Sequence, residues 1–311
     1  MDMIKLSIVS PIYNENSLVN DFAKEVLKVI KPMGISYEIL LIDDGSNDDT
    51  WQYISELSSN KENNIKGIRF SRNFGKECAL AAGIENAKGE VVITIDSDLQ
   101  HPVELIPKMY EIYKQGGTNV VEAVKEKRQK ESLLNRCFAK FYYAIFYQLT
   151  GINLKNASDF KLFDRAAIDA MNRLIEKEVF FRGISKWVGF NRKTIYFTTN
   201  DRKANISKWS FAKKIKLAVN SLTSYTTKPL LFILLMTAVF FILSLISSIE
   251  VFVRYINNTT LAGFPSVILL ICIMGTAILM SLSLLAIYIN QIFNEVKNRP
   301  RYIVAQTCGI K

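Results

Sequence analysis

The chain is poor in the residue patterns that announce the commoner enzyme chemistries. Its four cysteines, Cys78, Cys137, Cys272 and Cys308, show neither CxxC nor metal-site spacing, so they read as buried or incidental thiols of a reducing compartment. No GxGxxG follows the first apolar run, which argues against a standard dinucleotide site. No GxxxxGK[ST] is present either, which removes a phosphate loop of the ATPase type. Gly83, Gly89, Gly116 and Gly117 are scattered and read as structural. The lone histidine, His101, precedes Pro102 and is read as shaping its loop rather than catalysing. No apolar leader is expected, because Asp21, Lys24, Glu25 and Lys28 interrupt the opening segment.

Charge is missing altogether from two long runs. No Asp, Glu, Lys or Arg occurs between Arg254 and Glu295, and Leu230–Ile249 is also uncharged. As helices, Leu230–Ile249 and Ser266–Ile289 are each long enough to cross a hydrocarbon core of about 30 Å. Lys213, Lys214, Lys216 and Lys228 precede the first run, and Lys297, Arg299 and Arg301 follow the second. Such basic flanks predict two cytoplasmic ends joined by an outside connection near Asn257 and Asn258. The net charge of +10 is uneven too, since residues 128–228 hold 20 Lys and Arg against 7 Asp and Glu. A basic field ahead of an apolar run suits an anionic bilayer or a phosphate-bearing lipid. No nucleic-acid-binding module accompanies it, so nucleic acid is not an expected partner.

What is present alternates. Leu6–Ser10, Tyr37–Ile42, Ile65–Phe70 and Val91–Ile95 read as strands, with helices over Leu18–Ile30 and Lys76–Ala87. That spacing predicts an α/β fold with a mainly parallel, doubly wound sheet, whose ligands sit beyond the C-terminal strand edges. Leu134–Leu149 and Trp209–Thr223 read as amphipathic helices, the second lying on a membrane surface. The expected organisation is a globular domain over 1–208, an amphipathic segment over 209–228, a two-helix hairpin over 229–294 and a cytosolic tail over 295–311.

The fourth strand delivers Asp96 and Asp98 to the cleft edge. Residues two apart on a strand share a face, and two carboxylates there repel unless a cation fills the gap. A hard cation held by few protein oxygens keeps open positions for substrate phosphates.

Several motifs, in order, carry a family likeness: Ser7-Ile8-Val9-Ser10-Pro11-Ile12-Tyr13-Asn14-Glu15, Asp43-Asp44-Gly45-Ser46-Asn47-Asp48-Asp49-Thr50, Arg72-Asn73-Phe74-Gly75-Lys76 and Asp96-Ser97-Asp98-Leu99-Gln100-His101-Pro102. Further along come Lys127-Arg128-Gln129-Lys130-Glu131-Ser132, Ser158-Asp159-Phe160-Lys161-Leu162, Phe181-Arg182-Gly183, and Arg202 with Ser207-Lys208-Trp209. With these the chain resembles the polyprenyl-phosphate glycosyltransferases of glycosyltransferase family 2. These are membrane-anchored enzymes that include dolichyl-phosphate mannose synthases and bacterial undecaprenyl-phosphate (bactoprenol) glucosyltransferases. The resemblance implies a GT-A fold, a Rossmann-like and mainly parallel sheet, with amphipathic interface helices and two C-terminal transmembrane helices. Two departures stand out: Ser97 lies where the family commonly has Ala, and Asn205 where an Arg-x-x-Gly-x-Ser-Lys segment has Gly.

The resemblance also implies a reaction, an inverting transfer of a hexose to a polyprenyl phosphate at the cytosolic membrane face. Glucose from UDP-glucose is the favoured donor, with N-acetylglucosamine, mannose or a modified pentose open. Pro11, Tyr13, Glu15, Asp43, Asp44 and Arg72 would form the nucleotide pocket, with Asp96 and Gln100 beside it. Asp98 and Asp96 would hold Mg²⁺ or Mn²⁺. Arg128, Arg182, Arg202 and Lys127 would offset phosphate charge, for which arginine's donor fork is suited. Asp159 is assigned by family as a catalytic base. Because a phosphate monoester has a second pKa near 6, orienting the acceptor or cation site is an equal reading of Asp159. A bacterial inner or plasma membrane location and a homo-oligomer, a tetramer by resemblance, follow from the same likeness. A processive polysaccharide synthase would need Gln-x-x-Arg-Trp and more apolar helices, and a silent scaffold that binds nucleotide sugars would not need Asp96, Asp98, Asp159, Arg128 and Arg202 together.

Overall fold

A computed structural model describes residues 4–125, 133–153, 158–174, 176, 180–197, 225–226, 228–257 and 264–310. The chain divides into two compact units, Met1–Ser210 with Arg299–Lys311, and Phe211–Asn298.

The first unit is built on an eight-stranded mixed sheet in the order β7-β5-β6-β4-β1-β2-β3-β8. The strands are β1 (Leu6–Ile12), β2 (Tyr37–Asp43), β3 (Ile65–Phe70), β4 (Val91–Thr94), β5 (Val120–Lys125), β6 (Lys161–Asp164), β7 (Arg192–Phe197) and β8 (Val304–Cys308). Helices α1 (Asn16–Ile30), α2 (Thr50–Ser59), α3 (Lys76–Asn86), α4 (Leu105–Lys114), α5 (Leu133–Thr150), α6 (Arg165–Asn172) and α7 (Phe181–Trp187) complete it. Every residue of β1 and β4 is buried, as expected of central strands covered on both faces, where apolar runs replace alternation. Helix α1 lays Val19, Phe22, Ala23, Val26 and Ile30 into the core at helical spacing. Each large apolar side chain buried this way contributes about 1.5–3 kcal/mol relative to an exposed one.

Two features of the topology place the site. β1 pairs in parallel with β2 on one side and β4 on the other, so the strand order reverses between β1 and β4. Ligands of doubly wound sheets bind at such a switch point, outside the C-terminal strand ends. β6 then runs antiparallel to β4 with Thr94 opposite Lys161. The residues just before β6 therefore fall beside those just after β4, and this register brings Asp159 to Asp96. Thr94 Oγ1 fixes the junction by donating to the Asp159 carbonyl at 2.5 Å.

The segment expected as a tail contains the eighth strand. β8 pairs antiparallel with β3, with Gly67 opposite Cys308 and Arg69 opposite Gln306. Arg301 bonds Glu85 at 3.1 Å, and the Tyr302 ring stacks on Phe70 at 4.8 Å.

The second unit holds α8 (Lys228–Ile256) and α9 (Phe264–Val296), of 29 and 33 residues. Among the described residues one stretch, Ile273–Val296, is long and apolar enough to cross a membrane. Large apolar side chains are exposed on both helices, among them Phe241, Ile246 and Phe252 on α8 and Leu279, Met280 and Ile289 on α9. The amphipathic helix expected over Trp209–Thr223 lies outside the described residues.

Candidate active site at the sheet's C-terminal edge

The loops after β1 and β2 are stitched together before they meet any ligand. Asn14, held at φ 53°, donates its backbone N–H to Ser46 Oγ and accepts from Asn47 N, both at 2.9 Å. Asp43 accepts from Ser46 N at 2.9 Å and lies 3.4 Å from Arg69 Nε. Asp44 spends its carboxylate on the loop after β3, accepting from Phe74 N at 2.7 Å and Gly75 N at 2.9 Å. Gly45 sits at φ +68° against Arg72, where an added Cβ would come 2.3 Å from the Arg72 carbonyl carbon. Only glycine fits both the angle and the space.

An open pocket of about 370 Å³ lies over this floor, lined among others by Tyr13, Ser46, Arg69, Arg72, Ala305 and Gln306. Tyr13 and Arg72 were expected there. Asp43 braces two of its lining residues, Arg69 and Ser46, and Asp44 works as a loop clamp. Arg72 stacks on Phe74, its guanidinium carbon 4.1 Å from the ring centre.

Beside the pocket is a tight group of charges. Lys76, at the start of α3, reaches Asp96 at 2.6 Å and Asp159 at 2.7 Å. Arg182, on α7, closes on Asp159 with a fork, Nε to Oδ1 at 2.7 Å and Nη2 to Oδ2 at 2.9 Å. Burial opposes ionisation of Asp159, but Lys76 and Arg182 overcome it and hold the carboxyl far below the usual range. Asp96 is lowered in the same way, with Lys76 outweighing burial and His101 assisting from 3.7 Å. Lys76 and Arg182 are raised in return, the neighbouring carboxylates overriding burial. Glu77 differs: burial and then the charge of Asp159 push it up to about 7.

Asp98 stands apart from these cations. Its Oδ1 accepts from Gln100 N at 3.1 Å across Leu99, which is held at φ 55°. A branched residue in the left-handed region is uncommon, and such strain concentrates at ligand sites. Glu15 lies nearby, its carboxyl pushed up to about 7 by burial and by the charges of Asp98 and Asp96. Ser97, in the place of the common Ala, hydrogen-bonds Glu15 and partly offsets that shift. Pro11 offers its carbonyl 3.2 Å from the same hydroxyl.

No three His, Cys, Asp or Glu side chains converge as a ready-made metal cage among the described residues. A hard cation that spends most of its shell on phosphate oxygens needs only one or two carboxylates. The Asp98 edge fits that demand, since its carboxylate lies close enough to Asp96 and Glu15 for the two aspartate charges to add to the burial that raises Glu15. Asp96 is already neutralised by Lys76.

Lys127, Arg128 and Arg202 lie outside the described residues. Arg182, expected on a lipid phosphate, is on Asp159. Lys76 carried no expected role, although it ends a recognised motif; a lysine opening a helix gives no sign of which acids it will meet. Lys161 was likewise unassigned, yet it is fully buried, with Nζ 2.6 Å from Ser185 Oγ and 3.4 Å from Glu122. Burial pulls it down to about 8 against the opposing charge of Glu122. It ties α7, and so Arg182, to the sheet.

Residues 7–171 match the family model for Glycosyl transferase family 2. The uncharacterized glycosyltransferase YkcC of Bacillus subtilis (strain 168) is 34% identical over 99% of this chain and 95% of its own length. The bactoprenol glucosyl transferase of Shigella phage SfII is 32% identical over 98% of each chain. Among solved structures, Staphylococcus aureus TarS 1-349 in complex with UDP-GlcNAc shares the fold, with a TM-score of 0.50 and 17% identity over 71% of this chain and 66% of that one.

Proposed function

From the chain's membership of glycosyl transferase family 2, we propose that it transfers a hexose from a nucleoside diphosphate sugar to a polyprenyl phosphate at a membrane face. Glucose from UDP-glucose is the first donor to test. The observation that carries the reading is one chain holding both this acidic cleft and two long helices with exposed apolar side chains. A lipid acceptor is the chemistry that needs both. The full-length likeness to a protein named for bactoprenol supports the same acceptor class.

The chain's residues divide the work. Tyr13, Arg69 and Arg72 receive the nucleotide. Asp98 would hold a divalent cation, Mg²⁺ or Mn²⁺, which when bound supplies charge for the departing diphosphate. Asp159 fixes Lys76 and Arg182, each still partly exposed, so that their remaining N–H donors can meet phosphate oxygens. The acceptor phosphate, with a second pKa near 6, is largely dianionic at neutral pH and needs no strong base. Its direct attack at the anomeric carbon forms the new C–O bond as the diphosphate leaves with the old bond's electron pair. An α-linked donor then gives a β-linked product. Purified protein in detergent, given a panel of labelled nucleotide sugars and undecaprenyl phosphate, is expected to move label into the lipid extract with UDP-glucose. Labelled lipid from none of the donors would overturn the reading.

The two helices form a membrane hairpin in this proposal, with the catalytic unit and both flanks cytoplasmic. At 1.5 Å per residue each helix exceeds a core of about 30 Å. With the native cysteines replaced, Asn257→Cys is expected to react with an impermeant thiol reagent added outside intact cells. Reaction only after membrane rupture would reject the hairpin.

A further inference from the structure

β8 is bent where it meets the pocket. Opposite β3 the register runs Arg69 to Gln306 and then Phe70 to Val304, which leaves Ala305 as the extra residue of a bulge. Regular alternation would send Ala305 and Gln306 to opposite faces. Bulges re-aim side chains, and here both residues line the pocket over Tyr13 and Arg72.

The strand is seated from both ends. The Ser71 N–H donates to the Ile303 carbonyl at 2.9 Å, and Arg301 donates to the Glu176 carbonyl at 2.8 Å as well as bonding Glu85. Tyr302 OH bonds Glu85 at 2.5 Å while its ring covers Phe70. Gly67 leaves room for Cys308, whose Sγ would lie 2.7 Å from an added Cβ, and Gly309 turns the chain away at φ +68°.

Arg69 connects this strand to the pocket floor. It donates to Gln306 Oε1 at 3.3 Å and to the Ser46 carbonyl at 3.1 Å, and its Nε faces Asp43. With Oε1 accepting from Arg69, the Gln306 amide is oriented and its Nε2 retains two N–H donors for a ligand.

We propose that β8 is the donor-recognition wall of the pocket, with Gln306 donating a hydrogen bond to a carbonyl on the nucleobase edge and Ala305 keeping the bulge narrow enough for the base to enter. The inference rests on the nucleotide-sugar reading above and deepens it. It assigns part of donor choice to a segment separated from the rest of the globular unit by both apolar helices.

The test uses the full chain in detergent, with UDP, GDP and inorganic diphosphate as probes in calorimetric titrations. Gln306→Ala is expected to weaken UDP binding about 5- to 10-fold, the size of one lost neutral hydrogen bond, and to leave diphosphate binding within about 2-fold. Ala305→Trp, which fills the bulge side, is expected to weaken UDP further with the same indifference to diphosphate. Thr307→Ala, one residue along and not lining the pocket, is expected to match wild type for UDP and diphosphate. Equal UDP affinity in wild type and both pocket variants would overturn the proposal, as would parallel loss of UDP and diphosphate, which marks a structural effect. Wild type that binds neither UDP nor GDP would instead sink the nucleotide-sugar reading itself, and this inference with it.

Discussion

Asp159→Asn is expected to lower single-turnover transfer by at least ~100-fold, the scale of a lost charged contact at a reacting centre. The loss should persist across pH. Asp159 touches Lys76 and Arg182 together, and the two cations hold it ionised far below the usual carboxylate range. A carboxylate so stabilised is a weak proton acceptor, because efficient general bases have pKa values near the working pH. Its proposed work in this arrangement is to aim the side chains of Lys76 and Arg182. If Asp159 were chiefly a base, raising the pH would supply an acceptor already stripped of its proton, and the mutant would recover. Recovery to within ~3-fold of wild type by pH 8.5, with both substrates and metal saturating, would defeat the orienting role. Lys76 and Arg182 are 40% and 38% exposed, so water shares the lost pairing. The stability cost should fall below the ~3–5 kcal/mol of a fully enclosed broken pair, and the Asn variant remains measurable.

Asp98→Asn should also cost about 100-fold in turnover, and for a separable reason. The Asn carbonyl preserves the acceptor for Gln100 N, so the turn around Leu99 survives while the negative charge goes. Wild type should lose activity in excess EDTA and regain it with Mg²⁺ or Mn²⁺, whereas the variant should respond weakly to either ion. Near-normal wild-type turnover in excess EDTA, with the variant equally active, would remove the cation from Asp98. The two substitutions diverge in the metal titration: Asp159→Asn keeps wild-type metal dependence on its reduced rate, because its partners are Lys76 and Arg182.

Local residue patterns carried the first half of the sheet. The largely apolar runs of β1, β2 and β4 read as strands because central parallel strands are buried on both faces, and β3, although it carries Lys66 and Arg69, falls on the expected residues Ile65–Phe70. Asp96, Asp98 and Asp159 were legible through motif order, and Asp96 and Asp159 do converge, across Lys76. Lys76 was not legible as their bridge, since its partners lie 20 and 83 residues away and nothing local records the pairing. Asp44 was expected in the nucleotide pocket, and nothing local in the sequence records that the loop after β3 presents two N–H groups to it. Lys161 looks like a surface residue in Asp159-Phe160-Lys161-Leu162, yet β6 is buried between β4 and β5, which forces the amine onto Ser185 and Glu122. β8 escaped for another reason. Val-Ala-Gln-Thr-Cys has no apolar alternation, and its strand state comes from the free edge of β3 rather than from propensity.

That late strand sets an order of events during synthesis. β3 ends at Phe70 and its partner begins at Val304, so at ~5–20 residues per second the ribosome leaves the β3 edge open for on the order of 10–50 s. An open edge recruits other strands, and a nascent chain in this interval needs shielding. The same delay reaches the pocket: Ala305 and Gln306 join its lining only after both apolar helices have been translated, so under the proposal for β8 a chain stopped before them is expected to bind UDP more weakly than the full chain.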